Sequence, residues 1–120
     1  MSLKFNLVAS TIPVLLENGN GQPSEYELRE MTASVRDKYL DGVKERVQVG
    51  ADGKPSVKKF DGMQADLVSR CLFQKDGTAV PTKTIQEWPS SVVSSLFSEA
   101  QKINQLGGTE KEIVDASKNG

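Results

Sequence analysis

The sequence has no histidine. That absence removes at once the usual base of Ser-His and Cys-His catalysis and the commonest metal ligand. It has one cysteine, Cys71. No disulfide can therefore form within the chain, which fits a reducing compartment. Aromatic residues make up 6% of the chain, with Trp88 the single tryptophan. No apolar run reaches the roughly 18 residues that a membrane-spanning helix needs, so no membrane partner is expected. The start, MSLKFNLVASTIPVLLENG, has one Lys, and Asn6, Ser10, Thr11 and Pro13 interrupt its apolar tract. No A-x-A site follows, so a signal peptide is not expected. A basic excess is missing too: 15 Lys and Arg stand against 16 Asp and Glu, for a net charge of -1. The longest basic run, Lys58-Lys59, is flanked by Asp61 and Asp66. Nucleic-acid binders usually carry a basic stripe, so nucleic acid is not expected as a partner either.

What is there suits one globular domain over residues 1–120. Hydrophobic residues are 37% and charged residues 26%, and a chain of this length buries enough surface for a core without staples. Val14-Leu15-Leu16 and Tyr26-Glu27-Leu28 flank the polar segment ENGNGQPSE, whose two Asn-Gly pairs and Pro are turn chemistry. This predicts a β-hairpin, 13–17 against 25–30, with the alternating segment 3–9 (Leu3, Phe5, Leu7) as an adjoining strand. Residues 1–30 read as a hairpin region and 31–118 as a helical region. Thr32 can cap a helix running to about Val47, with Val35, Tyr39, Leu40, Val43 and Val47 at helical spacing. Ser56 can cap a second, with Phe60, Met63, Leu67, Val68, Cys71 and Leu72 as its stripe. Asp76-Gly77 ends it. A short helix over Thr82–Trp88 follows, then a long one after Pro89 with Val92, Val93, Leu96, Phe97, Ala100 and Ile103. Gly107-Gly108 stops that helix. Thr109 and Glu112 have capping-box spacing for a last short one. The expectation is an α+β fold, mostly α: a hairpin followed by a bundle of four to five helices.

Chemistry is hard to find. A calcium loop needs acidic or amide groups at positions 1, 3 and 5, Gly at 6 and Glu at 12. Frames set on Gly77, Gly53 and Gly21 each fail in ligands or in context. No Gly-rich phosphate loop is present, and the carboxylates are scattered on polar faces. Cys71 sits on an apolar stripe with no base readable nearby, so it reads as a buried thiol. No enzyme activity, cofactor or metal is expected. Trp88 admits two readings, a partner-binding anchor or a staple at the start of the long helix, and the second is the commoner. Arg29, Arg36 and Trp88 are the candidate contact residues, because Arg and Trp dominate interface energies.

The order of elements resembles a known family. YELREMTASVRDKYL (Tyr26–Leu40) contains Leu28-Arg29-Glu30 just before the first helix. RCLFQKDGTAV (Arg70–Val80) carries an aliphatic-Asp-Gly turn. IQEWPSSVVSSLFSEAQKINQL (Ile85–Leu106) closes on A-x-x-(hydrophobic)-N-x-L, matched by Ala100, Ile103, Asn104 and Leu106. Over Tyr26 to Asn119 the chain resembles the tail assembly chaperones of long-tailed, siphovirus-type bacteriophages. The resemblance implies a non-enzymatic protein that binds the tape measure protein, keeps it soluble and helps recruit the tail tube protein. It implies self-association, a place in the host bacterial cytoplasm during assembly, and absence from the mature virion. It also implies ribosomal slippage near the end of the gene; Ser117-Lys118-Asn119 can be encoded TCA-AAA-AAC, which contains A-AAA-AAC. Two other readings are a tail-completion or neck component retained in the virion, and a small helical nucleic-acid-binding regulator.

Overall fold

Strand β1 (Thr11–Glu17) and strand β2 (Pro23–Arg29) pair antiparallel, with Ile12 opposite Leu28 and Val14 opposite Tyr26. The hairpin expected from the Asn-Gly pairs is there, and Gly19 and Gly21 take the positive φ that its turn requires. The computed structural model describes residues 2–17, 19, 21–49, 51, 53, 55–57 and 62–106. Among them it is a mixed α+β structure, a three-stranded antiparallel sheet with four helices.

Helix α1 spans Ala33–Arg46. Thr32 starts it as expected: its Oγ1 accepts from the Val35 N–H at 3.3 Å and its carbonyl from the Arg36 N–H at 2.9 Å. The helix stops one residue before Val47. Val47–Val49 forms β3 and pairs antiparallel with β4 (Pro55–Val57). The expectation of a helix capped by Ser56 is therefore corrected: Ser56 is a strand residue. Val47 and Val49 are β-branched and the strand sits before a polar turn with Gly53 at φ 79, which favours a local ladder over another helical turn. Helix α2 begins later, at Met63, and ends at Cys71. Gly62 precedes it in the left-handed region at φ 73. Phe60 lies outside the described residues.

The third strand of the sheet is β5, Leu72–Gln74, which pairs with β2. Segment 3–9 does not join the sheet, against the expectation. Leu72 also leaves the helical stripe assigned to it, because the Asp76-Gly77 turn folds the chain back here. Gln74 N–H donates to Thr78 O at 2.8 Å, Val80 N–H donates to Leu72 O at 3.1 Å, and Phe73 bridges Ala79. Helix α3 (Thr82–Gln86) and helix α4 (Ser90–Asn104) follow. Helix α4 ends before the Gly pair that was expected to stop it. Gln105 adopts αL (φ 54) and the Leu106 N–H reaches back to Gln101 O at 3.0 Å, a Schellman-type cap. The expected last helix at Thr109 lies outside the described residues.

One core joins sheet and helices. Leu28 of β2, Tyr39 of α1, Leu67 and Val68 of α2, Leu72 of β5, Ile85 of α3 and Leu96 of α4 are all buried in it, as is Leu106. Each of these aliphatic side chains contributes about 2 kcal/mol by leaving water. Buried positions of α4 are Val93, Leu96, Ala100 and Asn104, three or four residues apart, so one stripe of α4 packs on α2.

Candidate partner-binding surface

The junction between α3 and α4 is fixed by Trp88-Pro89. A residue before Pro is pushed out of the helical region, so α3 cannot run on into α4. The Trp88 N–H closes α3 on Ile85 O at 3.0 Å, and Pro89 O receives the Val92 and Val93 N–H groups at 3.1 and 3.2 Å. Trp88 thereby stands at a corner. Its ring meets Tyr26 of β2 edge-on, with centroids 6.1 Å apart and planes at 74°. That geometry adds about 1 kcal/mol beyond simple burial.

Two grooves meet at this indole. One, about 690 Å³, lies between the turn end of the hairpin and the start of α4, walled by Leu16, Pro23, Tyr26, Trp88 and Val92. The other, about 330 Å³, lies between Trp88, Val93 and the N-terminal turn of α2 at Gly62–Ala65. Trp88 is half-buried. It is packed into the core margin while still walling both grooves, so the two sequence readings of this residue are not exclusive in geometry.

Arg29 is elsewhere. Side chains alternate along a strand, which puts Tyr26 and Leu28 on the helix side and Glu27 and Arg29 on the other. The Arg29 guanidinium lies 4.5 Å from the Phe73 ring centroid, and its Nε donates to Glu27 Oε2 at 2.8 Å. Arg36 is half-buried near the start of α1. The three candidate residues are thus not one cluster, with Arg29 and Trp88 on opposite faces of the sheet.

The outer face has a second ion pair, Lys75 Nζ to Glu25 Oε2 at 2.8 Å. The hydrogen bond and charge of Lys75 hold the Glu25 carboxyl below its ordinary range, and Glu25 raises Lys75 in return. Both are solvent-exposed, so this pair adds little stability. In the Asp76-Gly77 turn, the Thr78 N–H donates to Asp76 Oδ1 at 2.9 Å and lowers that carboxyl. This is a self-satisfied Asx turn, which explains the Asp without any ligand.

Asn104 is the residue whose role sequence reading missed. Buried beneath α4, its Oδ1 accepts from the Met31 N–H at 2.8 Å, and its Nδ2 donates to Ala100 O at 2.8 Å and to Cys71 Sγ at 3.3 Å. It ties the β2–α1 link, α2 and α4 together. The signal was present as the Asn of the A-x-x-(hydrophobic)-N-x-L run, in which Ala100 and Leu106 are also buried. Burial pushes the Cys71 thiol up to about 11, against the weaker opposing effects of Asn104 and Arg70. It is a packed side chain, not a nucleophile. No protein-family model, no curated protein and no solved structure matches this chain.

Proposed function

We propose that this chain is a bacteriophage tail assembly chaperone that binds the tape measure protein and helps bring tail tube protein to it. The reading rests on the order of the Leu-Arg-Glu, Asp-Gly and A-x-x-(hydrophobic)-N-x-L runs along the chain. One observation supports it physically: the half-buried Trp88 walls two grooves of mixed but more apolar than polar lining on one flank of the fold. A mainly apolar groove with an aromatic anchor is suited to the apolar seam of a long helical partner. Contacts of this kind are individually weak. Self-association would add avidity and still allow the chaperone to leave. On this reading the protein works in the host cytoplasm, takes no cofactor and does no catalysis. Arg29 and Arg36 join Trp88 as candidate contacts.

The test is co-expression with the tape measure protein of the same phage. The expected result is a soluble tape measure protein that co-elutes with this chain. Insoluble tape measure protein and no co-elution would reject the proposal. Recovery of this chain from purified virions by mass spectrometry would favour a tail-completion or neck component instead.

A further inference from the structure

The N-terminal segment, residues 2–10, carries strand-type alternation but belongs to no strand. Leu3 is 83% exposed, Phe5 81%, Leu7 99% and Val8 76%. An exposed apolar run of this kind marks an interaction site. The open edge of the sheet lies on the same chain. Strand order is β1-β2-β5, so β1 is a terminal strand.

The ladder tells which backbone groups face outward. Glu30 N–H donates to Ser10 O at 2.9 Å, making Ser10 and Glu30 a hydrogen-bonded pair. By antiparallel alternation the even residues of β1 bond to β2 and the odd ones turn to the open edge. Thr11, Leu15 and Glu17 offer N–H and C=O there. Pro13, at an odd position, offers only its carbonyl, as an edge strand permits. The other edge differs: Thr78–Val80 already bonds to β5 through Leu72 and Gln74. Burial follows the same asymmetry. On the helix side Leu28 and Leu72 are fully buried, whereas Ile12, Val14 and Leu16 of β1 are half-buried. The groove beside Leu16, Trp88 and Val92 lies along that thinly covered margin.

We infer that the N-terminal arm of one copy adds as a strand to the β1 edge of a second copy, with its Leu3, Phe5 and Leu7 face over the Trp88 groove. Length fits. Eight residues, 2–9, span roughly 26 Å when extended, and the seven-residue edge is about 23 Å long. Direction fits a second copy better than the chain's own sheet. The Ser10–Glu30 bond carries the ladder one pair past Thr11, so Ser10 is held in line with β1 and not against its edge. Ser10 is pinned there a second time, its N–H donating to Glu30 Oε1 at 3.1 Å. Beyond it the Val8 N–H donates to Asn6 Oδ1 at 2.9 Å, a bend that strand addition would open. The pairing is β-strand addition, with backbone bonds giving affinity and alternate side chains filling the groove. It does not rest on the chaperone reading. A monomeric chain that still solubilises tape measure protein would overturn the arm alone.

The experiment compares the full chain with the double variant Phe5→Asp/Leu7→Asp by sedimentation velocity, with circular dichroism and melting temperature as controls. The expected result is a concentration-dependent assembly of at least two chains that becomes monomeric in the variant, with the spectrum unchanged and the melting temperature unchanged at a dilution at which the parent chain is itself monomeric. A monomeric parent chain, or a variant that still assembles, overturns the inference. So does a variant that melts earlier than the parent at that dilution, which would put the arm on its own body. A photo-crosslinking residue at Phe5, in a mixture of light and heavy-isotope chains, gives the second readout. Light–heavy products on the β1 or Trp88–Val92 peptides are expected; products confined to one chain overturn the proposal.

Discussion

Asn104 makes three bonds to three different segments, and every one of its donors and acceptors is committed inside the protein. Asn104→Ala strands the Met31 N–H in an apolar setting, at a cost of about 2–3 kcal/mol. Urea unfolding of the variant measures it, and a loss under 1 kcal/mol would show that the site relaxes or admits water. Cys71 gives a pH test with a definite sign. The unfolded thiol ionises near 9.0 and the native one near 11. Below 9.0 both states hold the proton and stability does not depend on this group. Above it the unfolded state loses the proton first, so stability falls by about 3 kcal/mol and levels off past the native value. The slope attributable to Cys71 is the difference between wild type and Cys71→Ala in unfolding free energy across that window. Trp88 and Tyr26 belong at this scale as well. Each alone, replaced by Ala, should lower stability by 1–3 kcal/mol, and a double-mutant cycle should return a coupling of about 1 kcal/mol. None of these pairings is readable from a window of sequence. Asn104 lies 73 residues from Met31, and only the fold decides that they meet.

Local chemistry announced some elements well. Asn-Gly pairs, Thr32 and the spacing of Val93, Leu96 and Ala100 each act within a few residues, so the hairpin, the start of α1 and the face of α4 were legible. The three-residue strands were not. Leu72 falls four residues after Val68 and extends a helical stripe, and its pairing opposite Leu28 of β2, with the return of Thr78–Val80, makes it a strand. Val47 likewise continues the period of α1 but pairs with Val57. Two helix ends can be tested directly. Gln105 holds φ 54 without being glycine. Gln105→Gly removes that strain and should stabilise the protein by about 0.5–1 kcal/mol, read as a higher melting temperature. Gly62 is the converse case. A Cβ there would meet Gln86 Nε2 at 3.3 Å on a backbone already at φ 73. Gly62→Ala should cost about 1–2 kcal/mol in chemical denaturation. Equal stability would mean that α2 can begin another way.

Across the whole molecule, the hairpin and the helices are not separate pieces, because β5 inserts helical-region sequence into the sheet and Leu28, Leu67 and Leu106 share one core. A truncated chain that begins at α1 would lose β1 and β2 and expose Leu72; we expect it to be insoluble or to lack a cooperative melt. The surface around Trp88 was legible in one residue and illegible as a surface. Its walls come from the hairpin turn, the α3–α4 corner and the first turn of α2, which are far apart in sequence.

The bonding of Thr78–Val80 to β5 has a consequence for stoichiometry. A sheet with two open edges is divalent and can polymerise by edge pairing without limit. Here one edge is already satisfied within the chain, so the sheet is univalent. Whatever strand joins it, from a copy or from another protein, joins once. Saturation should therefore come at one added strand per β1 edge, and because each chain carries both an arm and an edge, reciprocal exchange closes at two chains whereas one-way exchange runs head to tail.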